Sequence, residues 1–155
     1  MRNGIFNDKL SAEFTPPKTW ILERDLTFIT ESLKKEDISI LQKIGVNISD
    51  EGKITCVKGM KTDLASVPRS CWSIISPWDV ARAAVIHDHL YATLRKYYHS
   101  EKSDWGTWKK GREISDNIFL WGMQSATPSV WKIKTYAAYY AVRAFGSFPA
   151  SSNEN

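Results

Sequence analysis

Residues 62–69 (TDLASVPR) and residues 83–91 (AAVIHDHLY) decide how this chain folds. The first segment is polar and contains a proline near its end, which predicts a turn after a strand. The second segment places His87 and Asp88 inside an apolar run, where a core built only for stability would carry leucine or alanine. These polar groups therefore need either a chemical or an architectural explanation.

Composition indicates one globular domain that spans residues 1–155. The chain has a mass of 17.7 kDa, with 43% hydrophobic and 25% charged residues, which is ordinary for a soluble protein. Its net charge of +4 comes from lysines and arginines that are mostly scattered along the chain. Because a nucleic-acid-binding domain normally carries a basic stripe or patch, no specific nucleic-acid binding is expected.

The chain carries none of the usual signals for export or membrane insertion. No apolar run approaches the ~20 residues needed to span a bilayer, and the first residues lack the apolar core of a signal peptide. Two cysteines, Cys56 and Cys71, do not make a disulfide framework. We therefore expect a protein made in a reducing cytoplasm, either soluble or incorporated into a larger assembly.

The N-terminal half predicts β-structure. Residues 1–17 are read as an extended arm or edge segment that either frays or docks on a partner, followed by a β-rich part over 18–62. This part is expected to hold one hairpin, a short helix and a second hairpin: strands at 20–22 and 26–30, a helix at 34–44, and strands at 46–48 and 54–57.

The remainder, residues 63–146, is predicted to be mainly helical. The spacing predicts a first helix from Asp79 to about Tyr98, a loop over 99–109 and a second helix over 111–125. A third helix should begin at Thr127-Pro128 and end at Gly146, leaving a solvated tail over 147–155. The predicted fold class is α+β: a small antiparallel sheet followed by about three packed helices.

Three polar residues fall on the apolar faces of these helices. His87 and Tyr91 are i and i+4 neighbours on the first helix, and Asp116 lies on the apolar stripe of the second. Burying an unpaired carboxylate costs several kcal/mol, so Asp116 needs a partner. The economical arrangement is two antiparallel helices in which Asp116 accepts from His87 or Tyr91.

Two interpretations of these groups stay open. In the functional one, His87 is a general base, Asp116 orients its imidazole and Tyr91 supports them. Asp88 or Asp63 would then bind a divalent cation such as calcium or zinc, which would stabilise an oxyanion. In the structural one, the same groups form a satisfied buried network that fixes how the sheet meets the helices.

The turn at residues 62–69 supplies further candidates. It would lie over the end of the two helices and place Asp63, Ser66 and Arg69 against a substrate, or these residues would only build the turn. Ser66 lacks the G-x-S-x-G context of an activated nucleophile. Two readings of Arg69 stay open: it holds an anionic ligand, or it forms an ion pair with Asp63 or Asp79.

Several segments resemble domain-of-unknown-function family 1353, whose members are bacteriophage and prophage proteins. The resemblance runs from about Trp20 to Gly146, and it rests on residues 62–69 with Trp72 and Pro77, residues 84–91, residues 115–123 and residues 140–146. It implies a phage gene, often near structural or lysis genes, and a virion-associated protein of the tail or tail-tip region. Other virion proteins or further copies of this chain would be its partners.

The arrangement of His87, Asp88 and Tyr91 on one helix, with Asp116 on an antiparallel helix, is similar to the site of secreted phospholipase A2. In those enzymes the histidine activates water, the neighbouring aspartate binds calcium and the distant aspartate orients the histidine. This resemblance implies a hydrolase, and the phage context implies phospholipid or other cell-envelope material as its substrate. The alternative is a non-enzymatic phage structural or adaptor protein, whose His/Asp/Tyr network is architectural.

Overall fold

The computed structural model describes residues 4–17, 19–63, 80–125 and 132–152. Ser66 and Arg69 lie outside these ranges, so the predictions made for them stay predictions. The same holds for the predicted helix starts at Asp79 and at Thr127.

The fold class is α+β, as the sequence predicts. Two three-stranded antiparallel sheets come first, in the orders β1-β4-β5 and β2-β3-β6. Helices α2 to α5 follow them, whereas α1 lies between β4 and β5. The strands are β1 (Ile5–Phe6), β2 (Ala12–Thr15), β3 (Thr19–Leu22), β4 (Leu26–Ile29), β5 (Ile54–Cys56) and β6 (Lys61–Thr62). The helices are α1 (Lys35–Ile44), α2 (Ala81–Tyr98), α3 (Trp105–Gln124), α4 (Lys132–Phe145) and α5 (Ser147–Ser151).

The predicted hairpin between residues 20–22 and 26–30 is wrong. Strand β3 pairs with β2 and β6, whereas β4 pairs with β1 and β5. The connection between β3 and β4 carries the chain from one sheet to the other. Its polar groups bond to residues outside the connection: the Glu23 amide donates to the Ser11 carbonyl at 2.9 Å, and Asp25 accepts from the Lys58 amide at 2.7 Å. The second predicted hairpin is reduced to a single bridge between Ile48 and Ile54.

The N-terminal arm docks on its own chain. Strands β1 and β2 lie at the edges of the two sheets, pairing with β4 and β3 respectively. The position of both strands agrees with the prediction of an edge segment. Each of the two strands pairs within the chain along one of its two sides.

Helix α1 ends as expected at Gly45, which has a φ of +103°. Helix α3 begins six residues earlier than predicted, at Trp105 instead of 111, because Asp104 caps it by accepting from the Thr107 amide at 2.8 Å. The predicted solvated tail is also wrong over 147–151, which forms α5. There Ala150 is buried, and its carbonyl accepts from Trp108 Nε1 at 3.1 Å.

Helix α2 lies at the centre of the molecule, with strands β4, β5 and β6 on one side and α3 on the other. It runs antiparallel to α3. A Cβ built at Gly122 would lie 3.0 Å from Ala83 near the start of α2, and one built at Gly111 would lie 3.3 Å from Leu94 near its end. These two glycines therefore allow the helices to approach closely between the two points. None of the helices in the described ranges combines the length and apolarity needed to cross a bilayer.

Candidate functional site

Asp116 is the centre of a buried polar cluster in which α2, α3 and α4 meet. Its side chain is 0% exposed. One carboxylate oxygen, Oδ1, lies 2.8 Å from His87 Nε2 and accepts from the Tyr91 hydroxyl at 2.7 Å. The other oxygen, Oδ2, accepts from Arg143 Nη1 at 2.9 Å. The predicted meeting of His87, Tyr91 and Asp116 is therefore present in the structure.

These partners keep Asp116 ionised. Burial on its own raises the pKa of the carboxyl, because the charged form loses water. The hydrogen bond and electrostatic attraction of His87, with the hydrogen bonds from Tyr91 and Arg143, outweigh this and hold the pKa of Asp116 below its usual range. The cluster thus contains an ionised carboxylate in the interior at neutral pH.

The charge on Asp116 fixes the orientation of His87. A carboxylate can only accept, so His87 Nε2 must carry the proton of this hydrogen bond. The other ring nitrogen, Nδ1, is buried and has no hydrogen-bond partner among the described residues. A neutral imidazole with its proton on Nε2 has its basic lone pair at Nδ1. This is the arrangement required of a general base whose second nitrogen is held by an orienting carboxylate.

Aromatic rings enclose the imidazole. The His87 ring is 4.0 Å from the Tyr91 ring, between centroids, and is stacked on Phe119 at 4.6 Å. His87 is only 1% exposed. The ring is therefore held in one position but is sealed from solvent.

Tyr91 acts in this cluster as a fixed hydrogen-bond donor. Burial and then the adjacent charge of Asp116 raise the pKa of its hydroxyl. The phenol consequently stays protonated and donates to Asp116 over the whole physiological range of pH. Its role is to support the carboxylate, as predicted, and it does not supply a base.

Helix α4 contributes a cation that sequence reasoning did not place in the site. Arg143, in the last turn of α4, reaches Asp116 and is 29% exposed at its side chain. Arg112 on α3 donates from Nη2 to the carbonyls of Val142 and Arg143, at 3.1 and 2.5 Å, and so holds the end of α4 in place. Its Nε lies 4.0 Å from Asp116 Oδ2.

Gly146 allows α4 to end against the cluster. A Cβ at this position would lie 2.4 Å from the Tyr91 hydroxyl and 2.4 Å from the Val142 carbonyl. Gly146 therefore lets the last turn of α4, which carries Arg143, lie against Tyr91 and Asp116. What the sequence did not reveal was that a buried carboxylate with two neutral partners still needed a cation.

Asp88 lies on the other side of α2. It accepts from the Thr62 hydroxyl at the end of β6, and Asp63 beside it is exposed. Within the described ranges, no group of three or more His, Cys, Asp or Glu side chains could hold a metal ion. Asp63 and Asp88 belong to no such group among the described residues, and the prediction that they bind a divalent cation stays a prediction.

His89 is built into the architecture. Its Nε2 accepts from the Asn47 amide at 3.4 Å, on the side of α2 away from Asp116. Burial, followed by the charge of Lys96, lowers its pKa. His89 therefore lies on the opposite side of α2 from the bond between His87 and Asp116.

A family model supports part of the resemblance seen in the sequence. Residues 38–142 match the model described as protein of unknown function (DUF1353), which is more than half of the chain. The chain belongs to the DUF1353 family. His87, Asp88, Tyr91 and Asp116 all fall inside the part that matches, whereas Arg143 directly follows it. No curated protein and no solved structure gives a significant match to the chain.

Proposed function

We propose that this DUF1353 protein is a hydrolase that cleaves an ester in cell-envelope material, with phospholipid as the substrate class. His87 is its general base, Asp116 orients His87, and Tyr91 and Arg143 fix Asp116. The observation that carries this proposal is the pairing of His87 Nε2 with Asp116 while Nδ1 has no partner among the described residues.

A purely structural histidine would be expected to use both nitrogens. Most buried polar atoms have a hydrogen-bond partner, and leaving one unsatisfied costs about 1–3 kcal/mol. That cost is explained if Nδ1 is needed to receive a proton. In the reaction, Nδ1 takes a proton from water as the water oxygen attacks the acyl carbon. The tetrahedral intermediate then expels the alcohol oxygen, which takes the proton back from His87, leaving a carboxylic acid and an alcohol.

Bacteriophage origin and a place in the virion are part of the proposal. They rest on the resemblance of residues 62–69, 84–91 and 140–146 to phage and prophage proteins of this family. A phage hydrolase of the tail or tail tip would meet the host envelope, which makes envelope lipid the natural substrate. Mass spectrometry of purified particles from a host that carries this gene tests the location: detection supports it, and absence from the particles contradicts it.

The burial of His87 favours a second candidate function. With 1% exposure, Nδ1 can be reached only if the packing around it opens, and a structural or adaptor protein has no need for such opening. In that case the cluster of Asp116 with His87, Tyr91 and Arg143 joins three helices and does nothing else. The two candidate functions predict different results when His87 is replaced. A hydrolase would lose its rate of ester hydrolysis, whereas a structural protein would change only in its free energy of unfolding.

Hydrolysis of phospholipid vesicles and of fluorogenic acyl esters distinguishes them, with and without added calcium or zinc. His87→Gln is the decisive variant, because its amide can still donate to Asp116 but cannot act as a base. His99→Gln is the matched control, since His99 is exposed at the end of α2 and bonds only to the Ser151 carbonyl at 2.8 Å among the described contacts.

We expect the native protein to hydrolyse an ester and His87→Gln to be slower by roughly 100-fold or more, the usual contribution of a general base. The thermal midpoint of His87→Gln should stay close to that of His99→Gln, which keeps full activity. An inactive native protein, or a His87→Gln variant that keeps its rate, would contradict the hydrolase and leave the architectural function.

A further inference from the structure

Helix α4 presents an apolar face to solvent. Ile133 is 75% exposed, Tyr136 43% and Tyr140 64%, and Ala144 is exposed beside them. At about 100° of rotation per residue, these four positions fall within ~80° of one another, so they form one continuous stripe along the helix. We refer to these four residues as the α4 outer face.

The opposite side of α4 is fixed to the body of the protein. Thr135, Ala138 and Val142 are buried. Tyr139 donates to the Asn117 side chain at 3.0 Å, and Arg143 is bound to Asp116. The α4 outer face is therefore held on a helix that is already packed, and binding a partner there requires no folding of the helix.

The charged side chains that residues 132–152 contribute are all of one sign. Lys132 and Lys134 flank Ile133, and residues 132–152 contain no aspartate or glutamate. Arg143 is paired with Asp116, whereas neither Lys132 nor Lys134 forms an ion pair with another of the described residues. A second copy of this chain would bring two lysine pairs of the same sign into one interface, so charge complementarity favours an anionic partner.

We propose that the α4 outer face docks on an anionic lipid surface. Ile133 would enter the outer acyl region, and Tyr136 and Tyr140 would lie at the headgroup level, where amphipathic rings are favoured. Lys132 and Lys134 would contact lipid phosphates. This inference goes beyond the proposed hydrolysis and does not require it, because none of these residues belongs to the His87 cluster.

Vesicle co-sedimentation of the full chain tests the proposal directly. The probes are vesicles of phosphatidylcholine mixed with phosphatidylglycerol, and vesicles of phosphatidylcholine alone. We expect binding to the mixed vesicles, weakened by added salt because ionic screening shortens the reach of the lysine charges. Tyr140→Glu, and separately Lys132→Glu with Lys134→Glu, should each lower the binding constant by roughly tenfold or more.

The control is Val57→Glu, which makes the same change of charge as Tyr140→Glu at a residue 51% exposed in the sheet part of the molecule. This variant should bind the mixed vesicles like the native protein. Absence of binding to the mixed vesicles overturns the proposal, as do equal binding to both kinds of vesicle and unchanged binding by Tyr140→Glu. Dimers in sedimentation velocity that Tyr140→Glu abolishes would assign the face to a second copy and also overturn it. Because all the variants keep His87, loss of vesicle binding is separable from loss of hydrolysis on a water-soluble ester.

Discussion

The two sides of α2 use neighbouring polar residues in opposite ways. Toward α3 and α4, His87 is sealed, bonds to a buried charge and leaves Nδ1 without a partner among the described residues. Toward the sheet, His89 accepts from a backbone amide and Asp88 accepts from the Thr62 hydroxyl, and both are only partly buried. The difference teaches that burial with an ionic partner, and not the presence of a histidine, marks the candidate site.

The largest expected effect comes from removing the charge at Asp116. Asp116→Asn leaves Arg143 facing an uncharged partner, and breaking a buried ionic contact of this kind costs about 3–5 kcal/mol. Urea unfolding at neutral pH measures this loss. Asp88→Asn, on the sheet side, is the matched control: its amide oxygen can still accept from the Thr62 hydroxyl, so we expect a smaller loss, of about 1 kcal/mol.

The same variant has a predicted dependence on pH. The pKa of Asp116 in the folded protein lies below its unfolded value, so its stabilisation is present above that unfolded value, about 3.9, and is lost as pH falls through the folded pKa. The difference between the native protein and Asp116→Asn should therefore narrow in acid. If the difference in unfolding free energy between the native protein and Asp116→Asn stays constant down to the lowest pH at which the protein folds, Asp116 is not ionised in the native protein.

A smaller effect is expected from a single hydroxyl. Tyr91→Phe removes the donor to a charged acceptor, at a cost of about 1.5–3 kcal/mol, whereas Tyr97→Phe removes an acceptor for the neutral Asp104 amide and should cost about 0.5–1.5 kcal/mol. Both tyrosines are 5% exposed, so the loss of packing is matched. Equal losses in chemical unfolding would show that the charge of Asp116 adds nothing to the bond.

Gly146→Ala tests the close approach of α4 to Tyr91. The added methyl group would lie 2.4 Å from the Tyr91 hydroxyl, so the end of α4 must shift, at about 1–3 kcal/mol. Gly106→Ala is the control in the first turn of α3, where the nearest atom is 3.4 Å away and alanine should stabilise the helix by about 0.5–1 kcal/mol. Thermal unfolding of the two variants should move in opposite directions.

The smallest effect belongs to His89. Its folded-state pKa is lowered, so the native protein should lose stability as pH falls below about 6.5, where the unfolded chain takes up a proton that folded His89 does not. His89→Gln should flatten this part of the stability profile. A slope that survives in His89→Gln would assign it to another group.

The central elements could be predicted from sequence because their signals are local. Helical spacing places His87 and Tyr91 on one face of α2, and the cost of burying the Asp116 carboxylate predicts that one of them is its partner. The pairing of β3 and β4 with other strands could not be predicted in this way, because the choice of partner depends on residues such as Ser11 and Lys58 that lie far away in the chain.

Arg143 was missed for a related reason. Its contact joins residues 27 positions apart on α3 and α4, and nothing in the local pattern of α4 distinguishes an arginine that faces solvent from one that turns inward. The early start of α3 was missed because Trp105 and Gly106 do not suggest a helix, whereas the cap formed by Asp104 with Thr107 does. A search for capping residues upstream of the periodic run would have found it.

The tautomer of His87 tests the central claim most directly. Nitrogen NMR of ¹⁵N-histidine-labelled protein, with His87→Gln used to assign the signal, distinguishes a protonated ring nitrogen from a bare one. In mildly alkaline buffer, we predict a proton on Nε2, hydrogen-bonded to Asp116, and a bare Nδ1 whose signal shifts in Asp116→Asn. A proton on Nδ1 with Nε2 bare would contradict the account, because His87 could then neither donate to Asp116 nor offer Nδ1 as a base.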